Sequence, residues 1–203
     1  MDTLNEKQVR ILKEIPPELF TAAREEVLRI NWSNLPLIDN RSKRAIFKSS
    51  STINLRVHKL GKDSPDTYQT NANVIDCIDT VARTLYPQLE RTIRWIYNEV
   101  AGFQLGRIML VKLQSGGSVP SHVDAGDYFQ FHYRFHLPLL TDQKVVFTGP
   151  ENNQKIHMPE GYLCQLLNTN PHGEENNSSI DRIHLILDIA SRDSMFSYDK
   201  LKL

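Results

Sequence analysis

From residue 103 to residue 190 the chain breaks into short apolar, alternating stretches, each closed by a turn signal, and this rhythm limits the fold more than any other feature. The stretches run over 106–113, 129–139, 144–148, 155–158, 162–167 and 180–190. Between them stand Gly116-Gly117, Thr141-Asp142, Gly149-Pro150, Pro159-Glu160-Gly161 and the polar run 168–179. Many short strands divided by turns predict a β-sandwich or barrel.

The preceding hundred residues have a different rhythm. Residues 4–14 read as a short helix stopped by Pro16-Pro17. Pro17-Glu18 then suits a new first turn, because proline tolerates the first helical position and an acid suits the positive helix end. Leu19, Ala22, Ala23, Val27 and Ile30 approximate its apolar face. Residues 51–58 alternate from Thr52 onward and predict a strand, with loops at 31–42 and 61–70. Helical spacing returns over 73–85, and again after Pro87 with Leu89, Ile93, Ile96 and Val100. The expected fold class is therefore mainly β with a helical N-terminal portion. The expected organisation is a mostly helical lobe over 1–102 packed on a core over 103–190, then a polar tail over 191–203.

Charge and cysteine content exclude several functions. Among 203 residues, 24 basic and 24 acidic side chains cancel. Such a chain offers no long-range attraction to nucleic acid or to an anionic membrane. No run is long and apolar enough to span a bilayer, and MDTLNEKQVRILKEI lacks the apolar core of a secretory signal. Cys77 and Cys164 sit in largely apolar stretches and read as buried thiols rather than a disulfide scaffold. A soluble cytoplasmic protein is expected. The glycosylation-like triplets at Asn31, Asn176 and Asn177 are then chance matches.

The chemistry gathers in residues 116–139. His122 and Asp124 are separated by a single residue. On an extended chain, residues two apart point the same way, so both can reach one ion. A third ligand must come from elsewhere, and His172, after Pro171 and ten residues before Arg182, is the candidate. Two histidines and one carboxylate on one face leave coordination positions open, which suits iron(II). Zinc is the rival metal, since the same donors plus water make a hydrolytic site. Taken singly, His122-Val123-Asp124 is no more than a polar loop after two glycines.

Two strands carry polar residues on one face. His132, Arg134 and His136 oppose Phe131, Tyr133, Phe135 and Leu137, while Arg182, His184 and Asp188 oppose Ile183, Leu185, Leu187 and Ile189. A guanidinium cannot be buried dry without a partner. Arg182 on an otherwise apolar strand suggests a bidentate carboxylate partner. The plain alternative is an internal ion pair, for instance with Asp127 or Asp188. His132 and His184 read as structural or supporting, and His58 and His157 as remote.

Together these segments resemble the aspartyl/asparaginyl β-hydroxylase family of iron(II)- and 2-oxoglutarate-dependent oxygenases. The resemblance covers about residues 103–190 and rests on Gly116-Gly117 before His122-Val123-Asp124, and on Arg134-Phe135-His136-Leu137-Pro138-Leu139. It rests also on His172 with Glu175-Asn176-Asn177, ahead of Asp181-Arg182-Ile183-His184. It implies a double-stranded β-helix, or jelly roll, with His122, Asp124 and His172 on iron(II). It implies that Arg182 binds the distal carboxylate of 2-oxoglutarate and that Arg134 and His136 help hold it, with O2 as oxidant. The implied substrate is an amino acid, or an amino-acid side chain in a peptide, as small-molecule or peptide partner. The full triad resembles that of bacterial members similar to free amino acid hydroxylases, for example of proline. The first hundred residues carry no matching motif, so the substrate stays open. A zinc-dependent hydrolase and a non-catalytic jelly-roll binding module are the alternatives.

Overall fold

Strand β11 (Arg182–Ser191) is buried at nine of its ten positions, because it is covered on both faces and paired on both edges. Its neighbours are β4 (Gly102–Leu113) and β6 (Tyr133–Leu140), both antiparallel. The computed structural model describes residues 8–33, 45–59, 76–149 and 155–192. Adding β1 (Val9–Glu14), β2 (Ser50–His58), β3 (Cys77–Asp79) and β9 (Tyr162–Leu166) gives a seven-stranded sheet of order β1-β9-β6-β11-β4-β2-β3. A four-stranded sheet of order β5-β10-β7-β8 is built from β5 (Ser118–His122), β7 (Val145–Thr148), β8 (Lys155–Ile156) and β10 (His172–Asn176). The result is mainly β and antiparallel, a double-stranded β-helix with helices outside it.

The period of two along β11 decides what each face does. Ile183, Leu185, Leu187 and Ile189 join Phe135, Leu137 and Leu139 of β6 in the main apolar core. Helices α1 (Pro17–Leu28) and α3 (Pro87–Glu99) close that core with Ala23, Val27, Leu89, Ile93 and Ile96. Both helices start at the expected prolines, Pro17 and Pro87. The opposite face of β11 presents Arg182, His184, Ile186 and Asp188, all buried, on the side of the polar residues of β6.

No residue of α3 caps its N-terminus, since Tyr86 makes no side-chain cap hydrogen bond. The cap comes from α1, where Glu26 accepts from the backbone N–H of Gln88 (3.1 Å) and of Leu89 (2.8 Å). Two of the orphan donors of the first turn are satisfied from another helix, and the negative charge meets the positive helix end. Glu26→Ala is expected to cost about 0.5–2 kcal/mol, as loss of a cap does, read as a lower urea midpoint at unchanged slope.

Several local expectations are corrected. The stretch read as a helix over 4–14 is strand β1 where it is described: it pairs with β9, and strand alternation sends Val9 and Leu12, three positions apart, into different apolar clusters. The helical spacing over 73–85 is not used as one helix. Cys77–Asp79 adds to the edge of β2, and among the described residues of that stretch only Val81–Thr84 is helical (α2). Arg56 holds that edge, donating to Asp79 (2.7 Å) and to the carbonyl of Cys77 (2.5 Å). Ile78, Val81 and Leu85 accordingly stay 48%, 73% and 58% exposed. Residues 129–131 belong to a helical turn, α4 (Asp127–Phe131), and the run 168–179 contains β10. The loop expected at 61–70 lies outside the described residues. Among the described residues, no helix is long and apolar enough to cross a membrane.

Candidate metal centre

His122 ends β5 and His172 begins β10, and the two are direct partners in the antiparallel register. Strand pairing therefore brings together histidines fifty positions apart, with ring centroids 4.4 Å apart. Asp124 is fixed by the loop after β9, its N–H donating to the carbonyl of Asn168 (3.0 Å). One ligand atom from each of His122, Asp124 and His172 lies within 4.8 Å of the others.

The hydrogen bonds around these groups point the right atoms inward. Nδ1 of His122 donates to the carbonyl of Pro120 (2.9 Å), and Nδ1 of His172 donates to that of Asn170 (2.9 Å). A carbonyl only accepts, so each Nδ1 carries the proton and each Nε2 keeps a lone pair for a cation. Oδ2 of Asp124 accepts from Arg134 Nη1 and from Asn168 Nδ2 (3.0 Å), which leaves Oδ1 for the cation. Burial pushes the Asp124 carboxyl up, but Arg134, His172 and the bond from Asn168 outweigh it and hold it at about 2. Burial lowers His172 to about 4, against the pull of Asp124. At neutral pH the carboxylate is charged and His172 neutral, the forms that bind a metal.

Behind Asp124 lies a buried charge network. Asp188 accepts from Arg134 Nε (2.8 Å) and Nη2 (3.0 Å), from Arg107 Nε (3.2 Å) and Nη2 (3.1 Å), and from the Tyr128 hydroxyl (3.1 Å). Arg134 thus ties the Asp124 carboxylate to a second, fully buried one. Gly106 makes room for this: a Cβ there would stand 2.3 Å from the Tyr128 hydroxyl and 2.9 Å from the Asp188 carbonyl. For Arg134 the internal ion pair with Asp188 is therefore present. Its Nε, Nη1 and Nη2 all serve carboxylates, so its effect on the pocket runs through Asp124 and through its charge.

One pocket takes in His122, His172, Arg134, His136, Glu174 and Arg182, with Val111, Phe147, Leu166 and Ile186 among its apolar walls. Arg182 is fully buried; its Nη2 donates to Glu174 and its Nη1 to the carbonyl of Val111 (3.3 Å). Its ion-pair partner is Glu174, not Asp127 or Asp188. His136 meets His184 through their Nδ1 atoms (3.3 Å), and its Nε2 is buried with no hydrogen-bond partner among the described residues. Burial, then the nearby arginines, hold both imidazoles well below the usual range, and so neutral. His132 stacks on Tyr128, His58 meets the same ring edge-on, and His157 donates to the carbonyl of Val145. None of these three lines the pocket.

No curated protein matches the chain. A family model described as aspartyl/asparaginyl beta-hydroxylase matches residues 29–192. The chain belongs to that family.

The hydroxylase also shares its fold with solved oxygenases. A 2OG-Fe(II) oxygenase-family oxidoreductase from Burkholderia pseudomallei aligns at TM-score 0.58 and 12% identity, over 92% of this chain and 86% of that one. A Trichoplax adhaerens prolyl hydroxylase, solved with a hypoxia inducible factor peptide fragment, aligns at 0.55 and 13%, over 93% and 86%. A Pseudomonas putida prolyl-4-hydroxylase aligns at 0.53 and 12%, over 94% and 96%. At such identities the likeness concerns the fold.

Asn168, Arg107, Tyr128 and Glu174 were not legible as site residues, because each acts through a partner distant in sequence or in a strand unrecognised as one. Asn168 holds the Asp124 segment by backbone and side chain at once. Asn168→Ala in the hydroxylase is expected to weaken divalent-metal affinity about 10–100-fold, as loss of a ligand's hydrogen-bond partner does, measured by calorimetry.

Proposed function

We propose that this hydroxylase depends on iron(II) and 2-oxoglutarate and oxidises a carbon of an amino acid, free or within a peptide. His122, Asp124 and His172 hold the metal on one face. Arg182 anchors the far carboxylate of 2-oxoglutarate, and His136 offers its unpartnered Nε2 to the same molecule. Arg134 and Asn168 keep Asp124 oriented and charged. Bound iron(II), with 2-oxoglutarate and O2, supplies the oxidising power for an unactivated C–H bond, which no side chain can supply.

The observation that carries this reading is the cluster of three donors, two of which, His122 and His172, line one pocket with the buried Arg182. The donor set fits the metal: two tautomer-fixed imidazoles and one carboxylate oxygen leave open positions for a chelating 2-oxoacid. The apolar walls keep water away, which strengthens each charged contact inside. The segments 125–128 and 173–179 flank the ligands and are proposed as the rim that meets substrate. Cys77 and Cys164, both buried and in no disulfide among the described residues, fit the reducing cytosol we propose as its setting.

Free amino acids and short peptides, incubated with enzyme, iron(II), 2-oxoglutarate and O2, are expected to yield one product heavier by one oxygen atom. An unreactive panel, with 2-oxoglutarate left unconsumed, contradicts the proposal.

A further inference from the structure

We propose that Glu174 is a resident competitor for the anion anchor, and that it thereby sets how strongly the enzyme prefers a dicarboxylic 2-oxoacid. The inference rests on the reading of Arg182 as that anchor.

Glu174 follows His172 by two residues on β10, so the two side chains face the same way, and both line the pocket. The carboxylate is buried and accepts from Arg182 Nη2 through Oε2. Its Oε1 is buried as well, with no hydrogen-bond partner among the described residues. The guanidinium expected to grip an incoming carboxylate therefore already holds one belonging to the chain. The pair has no net charge, which weakens its pull on a second anion. Two carboxylates brought to one guanidinium repel each other strongly in a pocket of low polarity. The distal carboxylate of 2-oxoglutarate can reach Arg182 only if Glu174 gives up its place. A 2-oxoacid with an uncharged tail meets no such opposition. Discrimination between the two is therefore lower than Arg182 alone would give.

Glu174→Gln tests this, since it keeps the shape and a hydrogen-bond acceptor while releasing the cation. The manganese(II)-loaded enzyme is titrated calorimetrically, without O2, with 2-oxoglutarate and with 2-oxopentanoate, which ends in a methyl group. Glu174→Gln is expected to bind 2-oxoglutarate about tenfold tighter or more, with 2-oxopentanoate changed by less than about twofold. Unchanged or weaker 2-oxoglutarate binding in a folded variant overturns the proposal and makes Glu174 a brace for Arg182. If the variant does not fold, the wild-type protein decides. A preference for 2-oxoglutarate over 2-oxopentanoate below about tenfold supports the competitor, and a larger one overturns it. Full 2-oxoglutarate affinity in Arg182→Gln removes the anchor itself, a result distinct from a missing effect at Glu174.

Discussion

Asp188→Asn is expected to destabilise the fold by about 3–5 kcal/mol, the cost of removing one partner from a buried ion network. Asp188 is fully buried and receives five hydrogen bonds, from Arg134, Arg107 and Tyr128. Asparagine fills the same volume but cannot neutralise the two guanidinium groups. Both would remain buried with less opposing charge than they need. Burial alone would raise the Asp188 carboxyl, but Arg134 and Arg107 outweigh it and hold it well below the usual carboxylate range. A carboxyl depressed in the folded state contributes stability that is fully present above its unfolded value near 4 and is lost as pH falls through its folded value. The wild-type protein should therefore lose stability steeply below about pH 4, and the Asp188→Asn profile should be flatter there. Denaturant titrations at several pH values measure both effects. Equal slopes in the two proteins would remove Asp188 from the account.

His172→Ala is expected to weaken divalent-metal binding by more than the roughly 10–100-fold that loss of an outer partner costs. It deletes a donor whose orientation is set from two directions, by the register with His122 and by the bond to the carbonyl of Asn170. Two donors then remain, without the geometry that selects the ion. The wild-type protein should melt at a higher temperature when iron(II) or manganese(II) is added, because a ligand of the folded state stabilises it. The His172→Ala melt should not respond. Calorimetry and thermal melts read the two effects separately from turnover.

The candidate site residues were more legible than the way the strands arrange them. His122, Asp124, His172 and Arg182 stood out because histidine, carboxylate and arginine are conspicuous beside apolar strands. The faces of β6 and β11 followed from a period of two, and the strands carry those faces as expected: Phe135 and Leu185 in the core, Arg134 and Asp188 turned from it. The pairing of β5 with β10 was not legible. Residues 172–176 are histidine, glycine, two glutamates and asparagine, with none of the branched or aromatic residues that mark strands. They form one because flanking strands supply hydrogen bonds on both sides. The segment 9–14 failed for a related reason: its local pattern suits a helix, and an open edge at β9 overrides it. Asp188 stood out as a possible ion-pair partner, and Arg134 takes that place, but Arg107 and Tyr128 lie too far along the chain for any local pattern to show them. Glu174 was hidden because only the fold reveals that a residue two past a ligand faces Arg182.

The most direct measurement is succinate formation from 2-oxoglutarate by the purified protein supplied with iron(II) and O2. Wild-type protein is expected to form succinate and carbon dioxide in equal amounts, and folded His172→Ala none above the protein-free background. Succinate formed equally well by His172→Ala, or none from folded, iron-loaded wild-type protein in the presence of an accepted substrate, would contradict the account.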